Sequence, residues 1–325
     1  MSDILHIATR RLVRSGVLVI GIAIAAIAGG IASAAAATMA EQSFASPDTA
    51  VAALNAALAS GDEAQILAVL GPDAKRLLSS GDAVADQNGR KAFLAGYAAK
   101  HSLEPQGDAR EVLVIGDNDW PFPIPIVRVG SAWRFDTAAG AQELIDRRIG
   151  RNELATIRTL LAVVAAQKDY FERSKAGGNA GAYARHFMST KGKTDGLYWV
   201  AKPDEPGSPL AALVQDAESE GYLRATDRGG RPQPYHGYLF RMLTAQGPEA
   251  PGGARTYLVK GQMAGGFAVL AWPAQFGNSG IVSFEVNQDG SVFQKDLGPG
   301  TARAAAGITR FNPDVTWARV DLKEE

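Results

Sequence analysis

The stretch from Pro234 to Gly298 constrains this chain most. It runs PYHGYLFRMLTAQG, a Gly/Pro-rich loop, then YLVKGQMAGGFAVLAWPAQFGNSGIVSFEVNQDGSVFQKDLG. Short runs rich in β-branched and aromatic residues alternate with turn residues, which predicts an antiparallel meander. Asn287-Gln288-Asp289-Gly290 reads as a hairpin turn with a left-handed position at Gly290. A meander with one apolar face needs a cover. The strongest helical pattern in the chain, Asn152 to Ser174, supplies one, with Leu154, Ile157, Leu161, Val164 and Phe171 on one stripe and Gly177-Gly178 as its stop.

With 325 residues and 46% hydrophobic content, the chain has room for two ordinary domains plus a targeting segment. A formal charge of -1 gives no field that would gather nucleic acid or an anionic membrane surface, so no nucleic-acid partner is expected. The absence of cysteine excludes disulfides, thiolate metal sites and a cysteine nucleophile. His6, His101, His186 and His236 are scattered, without HxH or HxxxH spacing, so neither a metal nor a cofactor is expected.

Residues 1–40 have a basic start (Arg10, Arg11, Arg14), an uncharged apolar run from Val17 and a small-residue tract up to Ala40. Those are the three regions of a signal peptide, with Ala34-Ala35-Ala36 as a cleavage site. An uncleaved inner-membrane anchor facing the periplasm is the alternative, because the run is long enough to span a bilayer. Next, Ser46 and Pro47 open a helix that Gly61 stops, a second runs from Asp62 to the Gly71-Pro72 break, and a third covers Asp86 to Lys100. The period then changes to strands at Glu111–Ile115, Phe122–Val129 and Ala132–Asp136. Pro121, Pro123 and Pro125 remove alternate donors from the second of these, which predicts an edge strand.

Helices followed by antiparallel strands give an α+β class. Ser46-Pro47 with Ala50 and Val51, Ala57 through Asp62, and Gly130 through Phe135 make residues 41–137 resemble the nuclear-transport-factor-2-like fold, a helix-plus-curved-sheet cone. Residues 138–151 read as a basic connector with a solvated face. Residues 152–320 resemble the globular part of type IV pilins and pseudopilins. The matching positions are Asn152-Glu153, Ile157, Leu160, Ala166-Gln167, Tyr170, Gly181, Tyr183-Ala184, Gly237-Tyr238, Phe240, Ala271, Pro273, Ser279-Gly280, Phe284 and Asp289-Gly290. That resemblance implies a helix packed on a four-stranded antiparallel meander. The helix here is internal and preceded by Arg147, Arg148 and Arg151, so filament assembly is not carried over.

As a whole the mature chain is similar to an uncharacterised family of exported bacterial proteins, domain of unknown function 2950. The segments carrying the similarity are Asp119 through Pro125, Trp133 through Gly140, Arg147 through Leu154, Asp195 through Trp199, Pro234 through Tyr238, and Gly277 through Gly280. The similarity implies no activity.

No GxSxG elbow accompanies Ser279, and the Gly247–Gly253 loop lacks the GK[ST] ending of a phosphate cradle, so no catalytic residue is assigned. Trp199, Tyr235, Tyr238 and Trp272, with His236, Arg241 and Asn278 nearby, are the ligand-binding candidates. Aromatic faces with a few polar groups suit an envelope glycan, peptide or protein. The expectation is an exported, non-enzymatic binding or assembly-accessory protein, periplasmic or secreted. The alternative is a metal-independent hydrolase using His236 with an acidic partner such as Asp289 or Asp296.

Overall fold

The structure is a computed structural model describing residues 41–178, 180–222 and 233–321. The signal segment expected at 1–40 lies outside the described residues. Ser46 caps α1 (Pro47–Ser60): its Oγ accepts from the Thr49 N–H at 3.2 Å, and Thr49 Oγ1 accepts from the Ser46 N–H at 3.1 Å. Gly61 ends this helix at φ 69°, and Asp62 caps α2 (Glu63–Leu70). A tight turn at Pro72–Ala74 leads into the short α3 (Lys75–Leu78). The next helix, α4 (Ala83–Ala99), begins ahead of the expected Asp86, because Asp82 accepts the Ala85 N–H at 3.1 Å and is the N-cap.

Five strands follow: β1 (His101–Pro105), β2 (Arg110–Ile115), β3 (Trp120–Pro121), β4 (Ile126–Val129) and β5 (Ala132–Phe135). They pair antiparallel in the order β1-β2-β4-β5, with β3 also on β2. The edge-strand expectation is corrected, since β4 lies between β2 and β5. Pro123 and Pro125 cannot donate, so the chain leaves the ladder there and pairs on both sides only from Ile126 onward. Phe122 and Ile124 still turn inward and join Leu54, Ile66, Leu113 and Phe135 in the first core.

A single helix, α5 (Thr137–Ala176), then runs for 40 residues, about 60 Å at roughly 1.5 Å per residue. No break falls at the basic stretch 138–151. Nothing there stops a helix, and Ile145 and Ile149 are buried along it. Gly140 is the contact point with the proline segment, because a Cβ there would lie 2.2 Å from the Pro123 carbonyl oxygen. Gly140→Ala is therefore expected to cost about 2–3 kcal/mol through forced separation of helix and strand. Urea unfolding checks this, and an unchanged midpoint would contradict the close approach.

Farther along, α5 buries Thr156, Leu160, Val163, Val164 and Gln167. The expected stripe is corrected, since Leu154 is 56% exposed and Ile157 and Leu161 pack only at the core margin. Two polar residues lie on the buried face with their side chains satisfied. Thr156 Oγ1 donates back to the Asn152 carbonyl at 2.8 Å, and the Gln167 amide pairs with both the N–H and the C=O of Ala184.

After α5 come β6 (His186–Met188) and β7 (Gly196–Tyr198), a parallel pair, then α6 (Ala211–Ser219). The second large sheet is built from β8 (Tyr238–Leu243), β11 (Ala268–Pro273), β12 (Val282–Asn287), β13 (Val292–Asp296) and β14 (Ala318–Arg319). Its spatial order is β8-β11-β12-β13-β14, the expected meander with a short fifth strand. A small hairpin, β9 (Ala245–Gln246) with β10 (Arg255–Thr256), interrupts it, and α7 (Thr301–Gly307) precedes β14. By strand alternation Tyr238, Met242, Ala271, Phe284 and Val286 share one face, which α5 covers. Arg241, Leu270, Trp272 and Glu285 share the other, against α7 and Phe311. Among the described residues no helix is long and apolar enough to cross a membrane.

Candidate functional site

Tyr235 and His236 stand at the entrance of β8, where the chain bends back on itself. The N–H and C=O of Tyr235 pair with those of Tyr238 at 2.9 and 3.1 Å. This turn places His236 at φ 48° and Gly237 at φ 76°, a left-handed pair that is strained for histidine. Gly237 is required for a second reason: a Cβ there would lie 2.4 Å from Asn152 Nδ2. The Gly237 N–H donates to Asp82 Oδ2 at 2.9 Å, and the Tyr222 hydroxyl donates to the same oxygen at 2.9 Å. Tyr222 in turn accepts the His236 N–H at 3.2 Å. Asp82, 1% exposed, thus ties the cap of α4 to the first strand of the second sheet.

Around this knot the rings of Tyr222, Tyr235 and His236 cluster in edge-to-face and tilted contacts with centroids 4.1–6.0 Å apart. Burial pushes the Tyr235 hydroxyl up to about 12, helped by Glu220 and Asp216. Burial and then Asp82 raise Tyr222 as well, so both phenols keep their protons at ordinary pH, and that of Tyr222 goes to Asp82. His236 Nε2 lies 3.5 Å from Glu220 Oε2, while the Glu220 carbonyl accepts from Asn88 Nδ2 at 2.8 Å.

A second polar knot lies beside the first. Asn278, in the β11–β12 loop, accepts from Arg148 Nη1 at 2.7 Å and donates to the Ser79 carbonyl at 2.8 Å. Arg148 Nη2 donates to the Leu77 carbonyl at 2.6 Å, and Arg76 Nη2 donates to the Gly277 carbonyl at 2.9 Å. The solvated face expected for the basic stretch is corrected at Arg148. Burial lowers its pKa from the ordinary guanidinium value, with Asp86 opposing the shift, and its partners are carbonyl oxygens. Asn152 Nδ2 donates to the Ser279 carbonyl at 2.9 Å, and Glu153 Oε1 accepts the Ile281 N–H at 3.0 Å. The Tyr238 hydroxyl, fully buried, donates to the Val282 carbonyl at 2.8 Å. A Cβ at Gly280 would lie 2.1 Å from that hydroxyl oxygen, so the loop closes only around glycine.

The remaining candidates are elsewhere. Arg241 donates to the Ala305 and Ile308 carbonyls, with its guanidinium 5.4 Å from the Trp272 ring on the α7 face. Trp199 follows β7 and is half-buried. His236 is not brought to Asp289 or Asp296. Asp296 pairs with Val282 three strands from β8, about 14 Å at roughly 4.8 Å per strand, and Asp289 lies in the turn at the opposite end of the sheet. Ser279 is fully buried and its Oγ accepts the Gln275 N–H at 2.9 Å.

Sequence reasoning passed over Asp82, Tyr222, Glu220 and Arg148. Ser80-Gly81-Asp82 ahead of an alanine-rich run carried a helix-cap signal. Nothing in the sequence marks Tyr222 or Arg148 as interior. One open groove, of about 460 Å³, runs between β6 and β8, lined by Arg185 to Met188 and by Phe240, Arg241, Met242 and Thr244.

The architecture defines an α+β protein with two hydrophobic cores threaded by one long helix and locked by interior polar knots. The chain belongs to the family described as Protein of unknown function (DUF2950), whose profile matches residues 41–320. No curated protein and no solved structure matches it.

Proposed function

We propose that this is a non-enzymatic binding protein of the bacterial envelope. One observation carries the reading: the polar groups most suited to chemistry are spent on internal bonds, whereas an open groove beside β8 has largely apolar walls. Asp82, Asn278, Ser279 and Arg148 all point into the knots. Phe187, Met188, Phe240 and Met242 line the groove. Export rests on Arg10, Arg11 and Arg14 ahead of the apolar run from Val17, and an assembly-accessory role rests on the likeness of the second half to pilin globular parts.

The test incubates the purified protein with envelope glycan, peptide and protein fractions and follows backbone hydrogen exchange. Saturable protection of a surface region is expected, and none with any fraction overturns the proposal. Mass spectrometry of the protein recovered from a producing cell is expected to find its N-terminus between Ala37 and Glu41. A second reading, a hydrolase working through His236, is favoured by the 3.5 Å approach of Glu220 Oε2 to His236 Nε2 and by the strained backbone there. It requires turnover of an envelope substrate that His236→Ala abolishes while leaving the thermal midpoint intact.

A further inference from the structure

We propose that the groove between β6 and β8 accepts an extended acidic peptide segment as an added strand. This deepens the binding reading and rests on it. The hydrogen-bond parity of β8 is fixed at its start, where the Ala274 N–H donates to the Gly237 carbonyl. Leu239, Arg241 and Leu243 therefore direct their backbone groups to β11, and Tyr238, Phe240, Met242 and Thr244 direct theirs away from it. Tyr238 is closed off by Tyr235, and the Thr244 carbonyl is taken by the Tyr257 N–H. Between them the amides and carbonyls of Phe240 and Met242 have no backbone partner among the described residues.

β6 forms the facing wall. The Ser189 N–H donates to the Tyr198 carbonyl, which fixes the β6 parity and leaves the backbone groups of His186 and Met188 turned away from β7. The groove thus lies between two strand edges that carry no further strand among the described residues. Unpaired amides and carbonyls at strand spacing call for another peptide backbone, with alternate side chains packing on the walls. Charge selects the class of peptide. Arg185 is exposed at the rim, Arg241 also lines the groove and no carboxylate is among the lining residues, so acidic side chains in the added segment are complementary.

The experiment adds blocked hexapeptides with Val, Ile, Leu or Phe at alternate positions and Asp or Glu between them, and reads exchange at the Phe240 and Met242 amides. Those amides are expected to exchange readily in the free protein and to slow by at least about tenfold at saturation. Replacing the acidic residues by Lys, or introducing Arg185→Glu, which alters an exposed side chain, is expected to weaken binding about fivefold. N-methylation of the peptide backbone is expected to abolish it. The proposal is overturned if the two amides are already slow in the free protein, which would mean a second copy or another segment of this chain covers the edge. It is also overturned if acidic and basic peptides bind alike, or if none binds at millimolar concentration. Protection by an envelope fraction at some other surface, with the groove amides unchanged, overturns the added strand and leaves the binding reading standing. Protection nowhere overturns both.

Discussion

Replacing Asp82 by alanine is expected to cost about 4 kcal/mol of folding stability. The estimate combines two donors left buried without an acceptor, at about 1–3 kcal/mol each, with loss of a helix cap worth about 1 kcal/mol. The donors are the Gly237 N–H and the Tyr222 hydroxyl, both 2.9 Å from Oδ2, and the cap is the bond from the Ala85 N–H to Oδ1. Tyr222→Phe removes one arm and is expected to cost about 1–2 kcal/mol. Because Asp82 joins α4 to β8, the larger change also loosens the contact between the two cores. Urea unfolding followed separately by exchange in residues 44–135 and in the second sheet should show transitions that coincide in the native chain and separate in Asp82→Ala. A loss under 1 kcal/mol with transitions still coincident would show that the knot is not a mechanical link.

The second large effect is a dependence on pH centred on Glu285. Its side chain, 1% exposed, shares the α7 face of the central strand, and its Oε2 accepts the Asn312 N–H at 3.3 Å. Burial pushes its pKa up to about 7; Asp314 adds to this, and the Asn312 N–H and Lys295 oppose it. In the unfolded chain the same carboxyl titrates near 4.5. The folded protein therefore holds this proton more tightly than the unfolded one. Its contribution to stability is complete below about pH 4.5 and is lost as the pH rises through about 7, a total of about 3 kcal/mol. Glu285→Gln keeps the shape and an oxygen to accept the Asn312 N–H but cannot ionise. Urea unfolding from pH 4.5 to 8 should find the two proteins alike at the acid end and the glutamine variant more stable by about 3 kcal/mol at the alkaline end. Parallel curves would mean that Glu285 is solvated in the folded protein.

Both predictions concern residues whose burial could not be read from their neighbours in the chain. What was legible had local causes. Ser46-Pro47 and Gly61 bracket α1 because the orphaned amides of a helix start and the left-handed turn at its end are satisfied within a few residues. The meander was legible because turn residues punctuate its strands, and the helix against it because an apolar sheet face demands cover. The stripe on that helix came out rotated: Gln167 is buried because its amide meets the backbone of Ala184 beyond the helix, a partner that periodicity cannot see, and Thr156 is buried with its hydroxyl satisfied by the Asn152 carbonyl one turn back. The proline-bearing strand was placed at an edge by a rule about missing donors. The fold met the same shortage by breaking the strand at 122–125 and keeping its continuation inside the sheet.

Of the candidate site, the sequence alone marked the loop aromatics and the two glycine-rich turns, Tyr235-His236-Gly237 and Gly277–Gly280, because backbone conformation is written locally. Only the tertiary structure decided that these turns meet Ser79 to Asp82 and Arg148 to Glu153, which lie more than 120 residues from them in the case of Asn152 and Ser279. It decided equally that Tyr238 and Asn278 face inward and that Phe240 and Met242 have no backbone partner among the described residues. Burial and strand-edge exposure depend on which segments arrive from far along the chain. No local pattern of residues encodes that meeting.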